Sequence, residues 1–169
     1  METSAIYTFA EFLKEILSGP NLAVLGAALA VALSGWGSAK GVGNAAMAAD
    51  GLLTEDPDTF GKVLILEALP ATQGIYGFIT GFLVMVKTGV ITGSVNCTMA
   101  DGLYYLFACL PIAIVGLISA QHQSNAAVAG IKMIAKQKDQ LGKAITNAAL
   151  VETYAVLSLL ISLLFILLH

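Results

Sequence analysis

Arginine is absent from this chain of 169 residues, and all eight basic residues are lysines. Because arginine side chains make most of the specific contacts to bases and phosphates, its absence argues against nucleic acid as a partner. Charged residues are also scarce, at 11% of the chain, against about 25% in soluble domains. Hydrophobic residues make up 57% of the chain, and the mean hydropathy is +0.84. This composition is typical of a membrane protein.

Cysteine and tryptophan are rare as well. Cys97 and Cys109 fit no metal-binding or redox spacing, so we interpret both as packing residues. Trp36 is the only tryptophan, which argues against an aromatic drug-binding pocket.

Four apolar segments are each long enough for the ~20 residues that cross a bilayer core. They cover about residues 21–49, 62–86, 103–135 and 143–168, and short connections join them. The fold class we predict is therefore an all-α membrane protein with four transmembrane helices.

The lysines predict the orientation of these helices, because cytoplasmic loops carry an excess of positive charge. Six of the eight lysines flank the first and third connections. We expect the loops at 50–61 and 136–142 to be cytoplasmic, in a multi-pass protein of the cell membrane with both termini on the outer side.

The N-terminal segment differs from the four apolar ones. Residues 4–17 place Ile6, Phe9, Leu13 and Ile16 on one helical face, and Gly19-Pro20 is expected to end the helix. Acidic residues and the lack of a basic leader argue against a signal peptide. We predict a helix at the membrane interface within residues 1–20.

The chain repeats itself with an offset of 81 residues. Ser38-Ala39 falls on Ser119-Ala120, Asn44-Ala45-Ala46 on Asn125-Ala126-Ala127, and Gly61-Lys62 on Gly142-Lys143. The protein is therefore expected to consist of two tandem helical hairpins, 21–101 and 102–169, that point the same way.

Glu152 is the residue around which the function is expected to be organised. It is the only charged residue between Ala144 and Leu168, so it lies deep inside a predicted membrane helix. A carboxylate at that depth costs about 3 kcal/mol, which makes a functional role the default hypothesis. In the other copy of the repeat its place is taken by Ala71.

Other oxygen-bearing side chains are expected at the same membrane depth. Thr72 and Gln73 stand there because the repeats are in register, and Gln123 reaches a similar depth on the third segment. Pro70 removes a backbone hydrogen bond and frees a carbonyl. This set suits a small hard cation such as Na⁺, and a protonated carboxyl hydrogen-bonded to the same groups would also fit. Thr and Gln in membrane helices also serve simply to join helices.

The sequence resembles a known family in these elements. The paired hairpins, the small-residue first helix, the run from Leu69 to Phe78 and the run from Leu150 to Ala155 are similar to the duplicated proteolipid of V-type ATPases. This is the proteolipid of the rotor ring, and the similarity is to its sodium-translocating bacterial form. The resemblance covers about residues 21–168.

The resemblance implies a site and a mechanism. Na⁺ would be held by the Leu69 carbonyl and by the side chains of Thr72, Gln73, Gln123 and Glu152, with Tyr76 steadying the glutamate. Copies would form a homo-oligomeric ring in the lipid bilayer, turned through central-stalk subunits by ATP hydrolysis on partner subunits. A stator subunit would use an arginine to displace the cation. The chain itself would hold no catalytic site.

Three alternatives remain at this point. A ring of the same family could carry H⁺ instead of Na⁺. A small proton-coupled exporter also uses one membrane glutamate, but the tandem repeat fits it poorly. A purely structural four-helix protein would leave the single deep carboxylate unexplained.

Overall fold

The computed structural model describes residues 8–169 as α-helices joined by short turns, with no strand in that part of the chain. The helices are α1 (Phe9–Ile16), α2 (Gly19–Leu53), α3 (Phe60–Ala68), α4 (Thr72–Lys87), α5 (Met99–Lys136) and α6 (Leu141–Leu168). Short 3-10 turns stand at Pro57–Thr59, Leu69–Ala71 and Lys138–Gln140.

Four of the helical stretches in residues 8–169 are long and apolar enough to cross a membrane. They are Gly19–Leu53, Pro57–Lys87, Met99–Lys136 and Lys138–Leu168. The predicted fold class, an all-α membrane protein with four spanning segments, is confirmed. The helices run further than hydropathy alone predicts, because α2 continues through Asp50 and Gly51 to Leu53 before it ends.

The second span is not one regular helix. The 3-10 turn at Leu69–Ala71 contains Pro70 and separates α3 from α4. Proline has no N–H to donate, and its ring clashes with the preceding turn, so the regular hydrogen-bond ladder is interrupted here. Pro70 therefore cannot donate to the carbonyl of Leu66, four residues earlier, as a residue of a regular helix would.

The structure corrects the prediction for Gly19-Pro20. This pair does not end the N-terminal helix, since α1 already ends at Ile16, and it forms the first turn of α2 instead. Proline is well suited to a first helical turn, where its missing N–H has no partner to lose. Thr8 caps α1 by accepting a hydrogen bond from the Glu11 amide. Ile6 and the rest of the predicted helix before Thr8 lie outside the described residues.

The helices pack through small residues. A Cβ added at Gly37 of α2 would lie 2.7 Å from the carbonyl oxygen of Leu117 in α5, so the two backbones approach closely. Two apolar clusters are buried at opposite ends of the bundle, one around Ile112 and Ile166 and the other around Leu66 and Ile131. Between them lies a layer of buried polar side chains.

Candidate ion-binding site

Glu152 of α6 lies in this polar layer, half-buried between helices. Its Oε1 accepts a hydrogen bond of 2.6 Å from the hydroxyl of Tyr76 in α4. Its Oε2 accepts a longer one, 3.4 Å, from Nε2 of Gln123 in α5. Three helices from both repeats therefore meet at one carboxylate.

Two glutamines extend the cluster into the protein interior. Gln73 and Gln123 are both fully buried, and Nε2 of Gln73 donates to Oε1 of Gln123 at 2.6 Å. The Oε1 atom of Gln73 is buried without a hydrogen-bond partner among the described residues. An unsatisfied buried polar atom costs about 1–3 kcal/mol, so this oxygen needs a function that offsets its cost.

Thr72 and Leu69 form the next part of the site, at the start of α4. The Thr72 hydroxyl donates to the Leu69 carbonyl at 3.1 Å, and the Thr72 amide donates to the same carbonyl. The 3-10 turn at Pro70 produces this arrangement. It brings the Thr72 hydroxyl oxygen close to the Leu69 carbonyl oxygen. Thr72 also lies four residues, or about one helical turn, before Tyr76.

The structure thus brings four of the six predicted residues into direct hydrogen-bonded contact, namely Gln73, Tyr76, Gln123 and Glu152. Leu69 and Thr72 pair with each other on the adjoining turn. Among residues 8–169, neither of them bonds directly to Glu152.

No cationic side chain within residues 8–169 forms an ion pair with Glu152. The ion pairs of this part of the chain, Lys138 with Asp56 and His169 with Asp101, lie at the two ends of the bundle. The charge of the carboxylate in the polar layer is therefore balanced by no lysine or histidine of the described residues.

Two supporting serines were missed by the sequence reasoning. Ser38 Oγ accepts a hydrogen bond of 2.8 Å from the Gly74 amide, and Ser119 Oγ donates one of 3.2 Å to the Val151 carbonyl. Each serine fixes a helix next to a candidate ligand. The signal was available in the repeat, because Ser38 and Ser119 are equivalent positions that both copies keep.

The fold and the site define a class of protein: a four-span membrane protein with one carboxylate that is hydrogen-bonded by uncharged side chains between its helices. Comparison with known proteins gives the family. The model of the ATP synthase C-subunit family matches residues 25–84 and again 106–165, and the chain belongs to this family. The two matches begin and end 81 positions apart, the offset of the sequence repeat.

Two relatives are similar over most of this chain. The V-type sodium ATPase subunit K of Enterococcus hirae is 46% identical over 149 residues, which cover 88% of this chain and 92% of the relative. The A-type ATP synthase subunit K of Methanocaldococcus jannaschii is 34% identical over 143 residues, which cover 85% of this chain and 60% of the relative.

Proposed function

We propose that this chain is a rotor-ring subunit of a V-type ATPase and that it carries Na⁺ across the membrane on Glu152. The observation that carries the proposal is the buried Oε1 of Gln73, which has no hydrogen-bond partner among the described residues, in a cluster where Gln73 bonds to Gln123 and Gln123 bonds to Glu152. The name of the Enterococcus hirae relative, a sodium ATPase subunit, supports the same cargo.

The donor set suits Na⁺. Leu69 and Gln73 contribute carbonyl-type oxygens, Thr72 a hydroxyl, and Gln123 and Glu152 an amide and a carboxylate oxygen. Hard cations prefer such oxygen ligands. One carboxylate among neutral ligands also matches a single positive charge, so the loaded site would be neutral.

The hydrogen bonds favour a cation over a proton as the cargo. Tyr76 and Gln123 both present hydrogens to the carboxylate oxygens, and such donors fit an ionised group. An ionised carboxylate within a membrane needs a counter-charge. Na⁺ at the oxygens of Gln73 and Thr72 would supply it.

The transport mechanism follows from the same electrostatics. Glu152 is at the edge of the bundle, beside the exposed side chain of Leu157, and an unpaired carboxylate cannot turn towards lipid cheaply. Rotation of Glu152 away from a stator subunit would therefore require a cation to be bound at the carboxylate. At the stator, a partner's arginine would release the cation by pairing with Glu152, and a new ion would enter from an aqueous half-channel.

The internal repeat supports a ring. Within the chain, Ser34, Gly37 and Gly41 of α2 are buried, with Gly37 and Gly41 directly against α5. The equivalent face of the second repeat is uncovered in a single chain, since Ile118 is half-exposed and His122 is exposed. A head-to-tail contact with another copy would cover it, and repetition of such a contact closes a ring.

The domain organisation and sidedness form part of this proposal. Residues 21–101 and 102–169 would be the two proteolipid hairpins, and residues 1–20 would hold the interfacial helix α1. The lysine distribution supports a cytoplasmic position for the turns around 50–61 and 136–142, where central-stalk subunits would bind.

Carbodiimide labelling of the purified protein tests whether the ion carried on Glu152 is Na⁺. These reagents attack the protonated carboxyl, so a bound Na⁺ is expected to prevent labelling of Glu152. Millimolar Na⁺ should protect the wild type, and Thr72→Ala or Gln123→Ala should remove the protection. Thr146→Ala is a matched control, because its hydroxyl bonds to the Gly142 carbonyl on the exposed face of α6.

The other outcomes would identify the alternatives. Labelling that depends on pH but not on Na⁺ would show that the cargo is H⁺ and not Na⁺. Labelling that is absent at every pH in the wild type would contradict a role for Glu152 as the ion carrier. Size-exclusion chromatography in mild detergent tests the ring separately, since an exporter would run as a small dimer.

A further inference from the structure

Helix α2 provides none of the proposed Na⁺ ligands, yet it contacts a segment that contains two of them. Ser38 of α2 is buried, and its Oγ accepts a hydrogen bond of 2.8 Å from the amide of Gly74. About one helical turn further along α2, a Cβ added at Gly41 would lie 2.8 Å from Cβ of Pro70. The two contacts therefore lie at the two ends of the segment 70–74, which contains the candidate ligands at positions 72 and 73.

The hydrogen bonds of this segment are irregular at both ends. In a regular α-helix the Gly74 amide donates to the carbonyl of residue 70, four residues earlier. Here the amide reaches the Ser38 hydroxyl oxygen on another helix. At the other end, Pro70 has no N–H to donate. One donor is thus absent at the first residue of the segment, and one is directed to α2 at its last residue. The shape of the segment depends on α2 as well as on its own sequence.

The second repeat uses the equivalent serine differently. An offset of 81 residues relates Ser38 to Ser119 and Pro70 to Val151. Ser119 Oγ donates to the Val151 carbonyl at 3.2 Å, and α6 continues through this position without interruption. The serine is therefore an acceptor beside the interrupted helix and a donor beside the continuous one. This difference indicates that the bond accepted by Ser38 belongs to the shape of the interrupted turn.

Helix α2 is also bonded to α5 at the same level. Ser124, the residue after Gln123, donates from Oγ to the Gly41 carbonyl at 2.7 Å. Gly74 is likewise the residue after Gln73. Helix α2 therefore fixes the chain next to each of the two glutamines, whose side chains bond to each other at 2.6 Å.

We propose that Ser38 is a positioning residue of the ion site and that its bond to Gly74 sets the selectivity of the site for Na⁺ over K⁺. The inference rests on the proposed Na⁺ site and adds to it a residue that does not touch the ion. The size selectivity of a set of oxygen ligands depends on how rigidly the ligands are held. Without the Ser38 hydroxyl, the turn that carries Thr72 and Gln73 would be free to widen, and the larger K⁺ would fit nearly as well as Na⁺.

Protection of Glu152 from carbodiimide by Na⁺ and by K⁺, measured on the purified protein, tests the inference. Ser38→Ala should raise the Na⁺ concentration that half-protects Glu152 by about 5-fold, the loss expected for one hydrogen bond. The K⁺ concentration that half-protects Glu152 should change much less. The ratio of the K⁺ to the Na⁺ concentration should therefore fall. A purely structural role would not change this ratio.

Ser34→Ala is the matched control. Ser34 is fully buried about one helical turn before Ser38, and its Oγ donates to the Ile112 carbonyl at 2.9 Å. This variant also removes a buried hydrogen bond between helices, but one that the segment 70–74 does not share. The melting temperature should fall in both alanine variants, whereas the K⁺-to-Na⁺ ratio of Ser34→Ala should remain that of the wild type.

Ser38→Cys is a second variant that keeps the packing around α2. Sulfur is a weak acceptor, so this variant should lower the K⁺-to-Na⁺ ratio in the same direction as Ser38→Ala. It provides the measurement should the alanine variant fail to fold.

The outcomes separate this inference from the proposed function. Protection of the wild type by Na⁺, together with an unchanged ratio in the Ser38 variants, would overturn the positioning role and leave the proposed function intact. An equal fall of the ratio in Ser34→Ala would assign the effect to loosened packing of α2 and would also overturn the role. A wild type that Na⁺ does not protect would contradict the Na⁺ site itself, and the selectivity inference with it.

Discussion

The hydroxyl of Tyr76 donates a 2.6 Å hydrogen bond to Oε1 of Glu152, linking α4 in the first repeat to α6 in the second. These residues lie 76 positions apart in the chain. The bond holds one oxygen of the carboxylate, while the other oxygen accepts the hydrogen bond from Gln123. Tyr76 thus positions the proposed ion carrier without having to bind the ion.

Replacing this hydroxyl should weaken the retention of Na⁺. A hydrogen bond to a charged group contributes about 1.5–3 kcal/mol, so Tyr76→Phe is expected to lower the apparent Na⁺ affinity by roughly 10- to 100-fold. The measurement is the Na⁺ concentration that half-protects Glu152 from carbodiimide. Tyr154→Phe is the control, since Tyr154 is two-thirds exposed and no hydrogen bond of the described residues joins it to Glu152. An equal loss of Na⁺ affinity in both variants would contradict a positioning role for Tyr76.

The unpartnered oxygen of Gln73 gives a second prediction. Gln73→Leu keeps a similar volume but removes an oxygen ligand and the donor to Gln123. Na⁺ protection should fall by at least ~10-fold, the equivalent of about 1.4 kcal/mol. Thermal stability in Na⁺-free detergent should change little, because the loss of the unsatisfied Gln73 oxygen offsets the unsatisfied oxygen that the variant leaves on Gln123. A large loss of stability with unchanged Na⁺ protection would show that Gln73 is structural.

The approach of α2 to α4 depends on Gly77. A Cβ at this position would contact the Ala30 carbonyl oxygen and Ser34 Cβ, neither of which can move without shifting α2. Gly77→Ala is therefore expected to cost about 1–3 kcal/mol through overpacking. Gly61→Ala is the control, because a Cβ there meets nothing within 4 Å among residues 8–169. Thermal unfolding in detergent should separate the two variants, and equal melting temperatures would contradict the close packing.

Cys97, in the connection between α4 and α5, tests the proposed sidedness. A membrane-impermeant maleimide should label it in intact cells, whereas the fully buried Cys109 should stay unlabelled. Partial burial, with a smaller contribution from the Asp101 carboxylate, raises the pKa of the Cys97 thiol above its ordinary value. Since the thiolate is the reactive form, labelling should be slow at neutral pH and accelerate as the pH rises. Labelling only after the cells are permeabilised would show that the orientation is the reverse of the proposed one.

The sequence was informative about the membrane spans because hydrophobic length and the cost of a buried charge are local properties of the chain. The same reasoning singled out Glu152. It failed at Gly19-Pro20, where the local patterns of a helix stop and of a helix start are alike, and the continuation of the chain into α2 decides between them.

The candidate site shows most clearly which features the sequence predicts and which depend on the tertiary structure. The 81-residue repeat alone places Thr72, Gln73 and Glu152 at one depth. Depth along a helix does not give rotation about its axis, so the sequence could not say which of these side chains meet. The hydrogen bonds from Tyr76 and Gln123 to Glu152, and the isolation of Gln73 Oε1, depend on the packing of α4, α5 and α6.

The sequence by itself therefore determined the class of protein, its four spans, its repeat and the identity of its one deep carboxylate. Only the tertiary structure decided which faces of the helices are occupied and which are left open. The physical reason is that hydrophobicity and charge act residue by residue, whereas close packing depends on the joint shape of residues distant in the chain, such as Gly37 against Leu117.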